Sequence, residues 1–139
     1  MLRHIFVATA LLSASGPVMA QTTADYVMKA GAGDLYEKQS SQLVLKTTKN
    51  PKIRSFAQMM VTDHSKSTAD VKAAAQASGL NPKPPALDAK KSAMIADLTK
   101  SSGSARDQLY VTQQKAAHQE ALTLHKGYAT AGDTPALKA

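Results

Sequence analysis

Cysteine and tryptophan are absent from the 139 residues, and aromatic rings are scarce, with two Phe and four Tyr. Without thiols there is no disulfide framework, no zinc ribbon and no thiol nucleophile. With so few rings, a core must be built mainly from aliphatic side chains and alanine. The β-branched alternation of a strand is missing as well, which leaves an all-α chain. A phosphate-binding glycine loop, the H-E-x-x-H zinc motif and a Ser-His-Asp pattern do not occur. Beyond residue 20, no apolar run approaches the ~20 residues needed to span a bilayer. Charged residues make up 19% and hydrophobic ones 43%, which excludes a disordered chain, and this length suits one domain.

What is present begins with an address. Met1-Leu2-Arg3-His4 is a short basic start, residues 5–13 are apolar, Gly16-Pro17 interrupts, and Val18-Met19-Ala20 ends on a small residue. This pattern predicts a signal peptide over 1–20 and a helical domain over 21–139, in the periplasm or associated with the envelope. The formal net charge is +7, spread along the chain mostly as lysine rather than gathered in a block. For an exported chain that charge points to an anionic envelope surface as partner and not to nucleic acid.

Four helical segments are expected, at about 25–48, 51–78, 87–100 and 104–131. Lys49-Asn50-Pro51 separates the first two, because a residue before proline avoids helix and proline suits a first helical position. Gly79 can end the second, Asn81-Pro82-Lys83-Pro84-Pro85 is a stiff extended connector, and Ser101-Ser102-Gly103 breaks the third from the fourth. Three long helices and one short one, joined by short turns, suggest an up-down bundle in which the short helix caps an end or crosses over.

In the second helix Ile53, Phe56, Ala57, Met60, Ser67, Thr68, Val71, Ala75 and Ser78 share one arc. His64 lies at the centre of that arc. In the first helix Glu37 shares a stripe with Tyr26, Ala30, Gly33 and Val44. In the fourth, His118 sits on the shoulder of the apolar face formed by Tyr110, Ala117, Ala121, Leu124 and Tyr128. Glu37 lies 13 residues before Asn50 and His64 14 after it, so in an antiparallel hairpin both stand ~20 Å from the turn. A carboxylate and two imidazoles at one level of a bundle suit a single divalent metal ion, and Glu37, His64 and His118 are the expected ligands.

Plainer readings remain for each residue. Asp34 with Glu37 forms a D-x-x-E capping box if a helix restarts after Gly31-Ala32-Gly33. His64 can be an interior histidine bonded to a hydroxyl, and His118 a polar neighbour of the core. His125 reads as a rim residue, Asp63 as solvated and Met60 as core, though a thioether beside imidazole would suit copper. The Glu-x-x-His pairs of di-iron bundles are missing: Val61, Lys115 and Leu122 stand three residues before the candidate histidines.

Three stretches carry a family resemblance: Tyr26-Val27-Met28-Lys29-Ala30-Gly31 with Glu37, Phe56-Ala57-Gln58-Met59-Met60-Val61-Thr62-Asp63-His64, and Asp107 with Tyr110 and Ala117-His118-Gln119. Through them the chain resembles the family known as domain of unknown function 4142. The resemblance implies a ferritin-like bundle in the periplasm or outer envelope with no established activity, carrying Glu37, His64 and His118 at positions where the family has the same residues. It also implies a further long helix starting at 134–138, so the bundle is expected to be incomplete at its C-terminus. A homodimer is the expected cover for the open face. Gln113 stands where the family is often apolar. The functional expectation is an exported bundle that binds a divalent metal or small ligand without turnover. The alternatives are an envelope interaction or stress module without metal and, third, a mononuclear-metal enzyme.

Overall fold

A computed structural model describes residues 22–138; the expected signal peptide lies outside them. Four α-helices follow in order, α1 (Thr23–Leu45), α2 (Pro51–Ala77), α3 (Ala89–Lys100) and α4 (Gly103–Ala131), and a 3-10 turn at Pro135–Leu137 ends the fold. Among the described residues there is no strand, and no helix is long and apolar enough to cross a membrane.

Local chemistry sets most of the boundaries. Thr22 caps α1 by accepting a hydrogen bond from the Asp25 amide. Asn50 caps α2, its Oδ1 receiving the amides of Lys52 and Ile53, and Pro51 fills the first helical position. Gly79 turns the chain out of α2 at φ +80°, and the Leu80 amide reaches back to the Ala75 carbonyl. Asp88 caps α3 through the Lys91 amide at 2.7 Å. The first helix is continuous through Gly31-Ala32-Gly33, so Asp34 stands in its middle. The capping-box reading is therefore corrected: with no helix start at Asp34 there are no free amides for it to cap.

The first helix is the hub. It packs against α2, α3 and α4, while α2 and α4 scarcely meet. That is why α1 buries residues on several faces, from Thr23 and Tyr26 through Ala30, Gly31 and Ala32 to Ser41 and Val44. Contacts of Asp34 with Thr68, Glu37 with His64 and Leu45 with Arg54 set α1 and α2 antiparallel. Tyr26 with His125, Tyr36 with Gln113 and Ser41 with Tyr110 do the same for α1 and α4. The two flanking helices therefore run parallel to each other. The proline connector crosses α1 at Gly31, where an added Cβ would stand 3.2 Å from Pro85 Cγ.

Apolar packing is split in two. At one end Tyr26, Ala75, Tyr128 and Leu137 form a cluster, with Tyr26 and Tyr128 stacked at 3.9 Å between centroids. At the other end Val44, Ala57, Leu98 and Tyr110 form a second. Between them lies a polar level, described below. The Ser78 position, expected on the buried arc of α2, is exposed because the helix has already reached its cap there.

Leu98 is the only large aliphatic side chain with which α3 fills the second cluster, and it is fully buried. Leu98→Ala is expected to lower the unfolding free energy by about 2–5 kcal/mol in chemical denaturation. Met28→Ala, at a side chain 62% exposed, should stay within about 0.5 kcal/mol of the parent.

Candidate metal centre

Midway along α1, four polar residues face inward: Asp34, Glu37, Ser40 and Ser41, all buried. Glu37 is 1% exposed and is the centre of the group. Its Oε2 lies 3.2 Å from Nδ1 of His64 on α2, and its Oε1 lies 3.1 Å from Nδ1 of His118 on α4. The two imidazole rings stand edge to face, 6.0 Å between centroids. One ligand atom from each of Glu37, His64 and His118 falls within 4.8 Å of the others, and this is the one such trio of metal-binding side chains among the described residues. The structure thus brings together Glu37 and His64, matched in height by counting from Asn50, and His118, read from the face of its helix.

Supporting bonds fix this arrangement. Ser41 donates to the Glu37 carbonyl at 2.6 Å, which leaves its oxygen to accept from the Tyr110 hydroxyl at 2.7 Å. Gln114 Nε2 donates to Ser40 Oγ at 2.8 Å. Tyr36 donates to Gln113 Oε1, and Gln113 Nε2 donates to the Met94 carbonyl on α3. Gln113 is therefore a buried bridge between α1, α3 and α4, which accounts for a polar residue at a position the resemblance makes apolar. Burial pushes the Tyr110 hydroxyl up to about 12.

Asp34 is the residue that sequence reasoning misplaced. Its Oδ1 lies 2.8 Å from His64 Nδ1, and Thr68 donates to its Oδ2 at 3.1 Å. Its signal was present: Asp34 and Glu37 share a helix face, and His64 and Thr68 are one turn apart opposite them. Lys91, which the sequence does not set apart from the other lysines, is buried against Glu120 at 2.9 Å and Asp88 at 3.2 Å. Burial opposes its charge, but those two bonds outweigh it and hold its pKa above the ordinary lysine value. His125 and Asp63 are exposed and Met60 is buried, with His125 Nδ1 bonded to the Tyr26 hydroxyl at 2.9 Å.

Burial and close pairing set the electrostatics of this level. Burial raises the Glu37 pKa, while the two nearby imidazoles pull the other way. Burial also works against a charged His64, but the bond to Asp34 and the charges of Glu37 and Asp34 outweigh it, so the His64 pKa is raised. Glu37 Oε1 has no hydrogen-bond partner despite its short distance to His118, because that Nδ1 is directed at the Gln114 carbonyl at 2.8 Å. Gln114 Oε1 is a second buried oxygen without a partner. Both are acceptors lacking a positive or protic neighbour, and a metal ion or its bound water is such a neighbour. His64 is 17% exposed at its side chain and His118 49%, so the trio opens toward solvent on the His118 side.

A raised His64 pKa sets the sign of its pH dependence. Its contribution to stability is complete below the unfolded value of about 6.5 and is lost as pH rises through the higher folded value. In metal-free protein, the His64 ring protons should titrate by NMR above 6.5, and Asp34→Asn should bring the midpoint down. The stability difference between the parent and His64→Gln should shrink as pH rises through that midpoint.

The chain matches the family described as "Domain of unknown function (DUF4142)" over residues 8–139. No curated protein and no solved structure matches it. The family match takes in all four helices and the whole polar level, including Asp34, Glu37, His64 and His118. The chain therefore belongs to the domain of unknown function 4142 family.

Proposed function

We propose that this protein binds a single divalent transition-metal ion through Glu37, His64 and His118. The observation that carries the reading is the buried Glu37 carboxylate, with a bare Oε1 and an imidazole nitrogen within 3.2 Å of each oxygen. One carboxylate oxygen and two neutral imidazoles form a donor set suited to zinc, copper, iron or nickel. Asp34 Oδ1 bonds the same His64 Nδ1 that faces Glu37 Oε2, so in the metal-free protein it fixes the ring and competes with an ion for that nitrogen. The basic start and apolar run of residues 1–20 support export to the envelope as the setting.

Without a metal, a protonated His64 balances the buried carboxylate. A metal takes over that task and displaces the proton, so binding weakens as pH falls. The half-exposed flank at His118 gives an entry path. With three protein ligands a coordination position stays open. Among the described residues no second set of ligands lies alongside, and the Glu-x-x-His pairs of a dinuclear centre are missing from the sequence. That favours binding over oxidative turnover.

Cobalt(II) titrated into chelator-treated protein should bind one ion per chain with a visible ligand-field spectrum. Glu37→Gln and His64→Ala should weaken it by two orders of magnitude or more. Asp34→Asn should not weaken it, because the bond it loosens competes with the ion for His64 Nδ1. His125→Ala, at an exposed ring outside the trio, should leave it unchanged. Equal cobalt binding by the parent and His64→Ala would make the trio a purely structural polar cluster.

A further inference from the structure

The parallel helices α2 and α4 leave between them an open groove of about 560 Å³, lined by residues of these two helices. Ile53 and Phe56 form one wall, and Val111 and Leu122 the other. Val111 and Leu122 are 42% and 46% exposed, a clear cost for large apolar side chains unless something covers them. Val111 and Leu122 are eleven residues apart, ~17 Å along the helix. The volume lies within the ~300–1,000 Å³ range of small-ligand sites. The groove is therefore long, narrow and apolar.

Its charge selects among occupants. Lys52 and Lys115 line the groove and no carboxylate does. Both α2 and α4 start at the Lys52 end, as Thr48 bonded to Asp107 shows, and their dipoles add positive potential there that the Asp107 carboxylate beside Ile53 and Val111 offsets in part. A second copy of this chain carries +7 and would bring like charge to a basic rim, which disfavours the homodimer as its cover. An anion with an alkyl chain complements both the walls and the rim.

We propose that the groove binds a single-chain amphiphilic carboxylate of the fatty-acid class. The alkyl chain lies along Ile53, Phe56, Val111 and Leu122, and the carboxylate is drawn to Lys52 and Lys115. This goes beyond the metal reading and does not need it: the groove is complete without an ion, although His118 borders both.

The test uses the full chain, treated with chelator, and laurate below its micelle concentration, followed by calorimetry. Laurate should bind saturably at one per chain. The double variant Lys52→Glu/Lys115→Glu should weaken it at least tenfold, and Val111→Glu/Leu122→Glu should abolish it. All four side chains are exposed, so circular dichroism should show unchanged helix content in each variant. Dodecyltrimethylammonium, with the same chain length and opposite charge, should not bind. His64→Ala should bind laurate like the parent, so a failed metal site leaves this outcome standing.

Equal affinity for the cationic detergent, or laurate binding insensitive to both double variants, would overturn the proposal. So would binding to phosphatidylglycerol vesicles without laurate binding, which makes the face a membrane surface. A dimer in sedimentation that Val111→Glu/Leu122→Glu disperses, again without laurate binding, would assign the groove to a second copy.

Discussion

Desolvation of the Glu37 carboxylate is the constraint around which this bundle is arranged. Removing such a group from water costs several kcal/mol unless charge or hydrogen bonds replace the lost hydration. No single helix can supply that replacement. The second and fourth helices each bring an imidazole to within 3.2 Å, and the first helix contributes Asp34 to hold one of them. The surrounding hydroxyls and amides are placed as if by the same need. Ser40 and Ser41 bond to the Glu37 carbonyl, and Tyr110 and Gln114 then fasten those serines to the fourth helix.

A polar level between two apolar clusters also fixes register. A hairpin whose contact faces are alanine, serine and valine could slide by a turn with little change in buried area. Sliding the second helix by one turn would set Met60 or Thr68 opposite Glu37 in place of His64, leaving the buried carboxylate without one of its two imidazole partners. A polar residue at one layer of a helical interface can specify alignment in this way at some expense of stability.

Much of this was legible in the chain, for identifiable reasons. Asn50-Pro51, Gly79 and the 101–103 break announced helix ends because caps and prolines act locally. Glu37 and His64 could be matched in height because a regular rise from a short turn converts residue counts into distance. Asp34 was hidden because its spacing to Glu37 satisfies a local capping rule as well as a tertiary contact. Only the continuity of α1 through its glycines decides between them. Gln113 and Lys91 were illegible for another reason. Their partners, Tyr36, Met94 and Glu120, lie on helices whose relative rotation no wheel drawn for one helix can give. The hub position of α1 was hidden too, since a helix covered on several sides shows no clean polar stripe.

At the far end from the α1–α2 turn, Thr23 in the first turn of α1 bonds to the Tyr128 hydroxyl, to Asp133 and to Thr134. Leu137 then packs onto Tyr26 and Ala75 beneath them. Helix ends ordinarily fray independently, opening at little free-energy cost. Here the start of the first helix and the segment after the fourth are riveted to one another, so neither can loosen without releasing the other. The rivet makes the outermost turns part of the cooperative unit and extends its protection from hydrogen exchange to residues that sequence position alone would mark as the first to open.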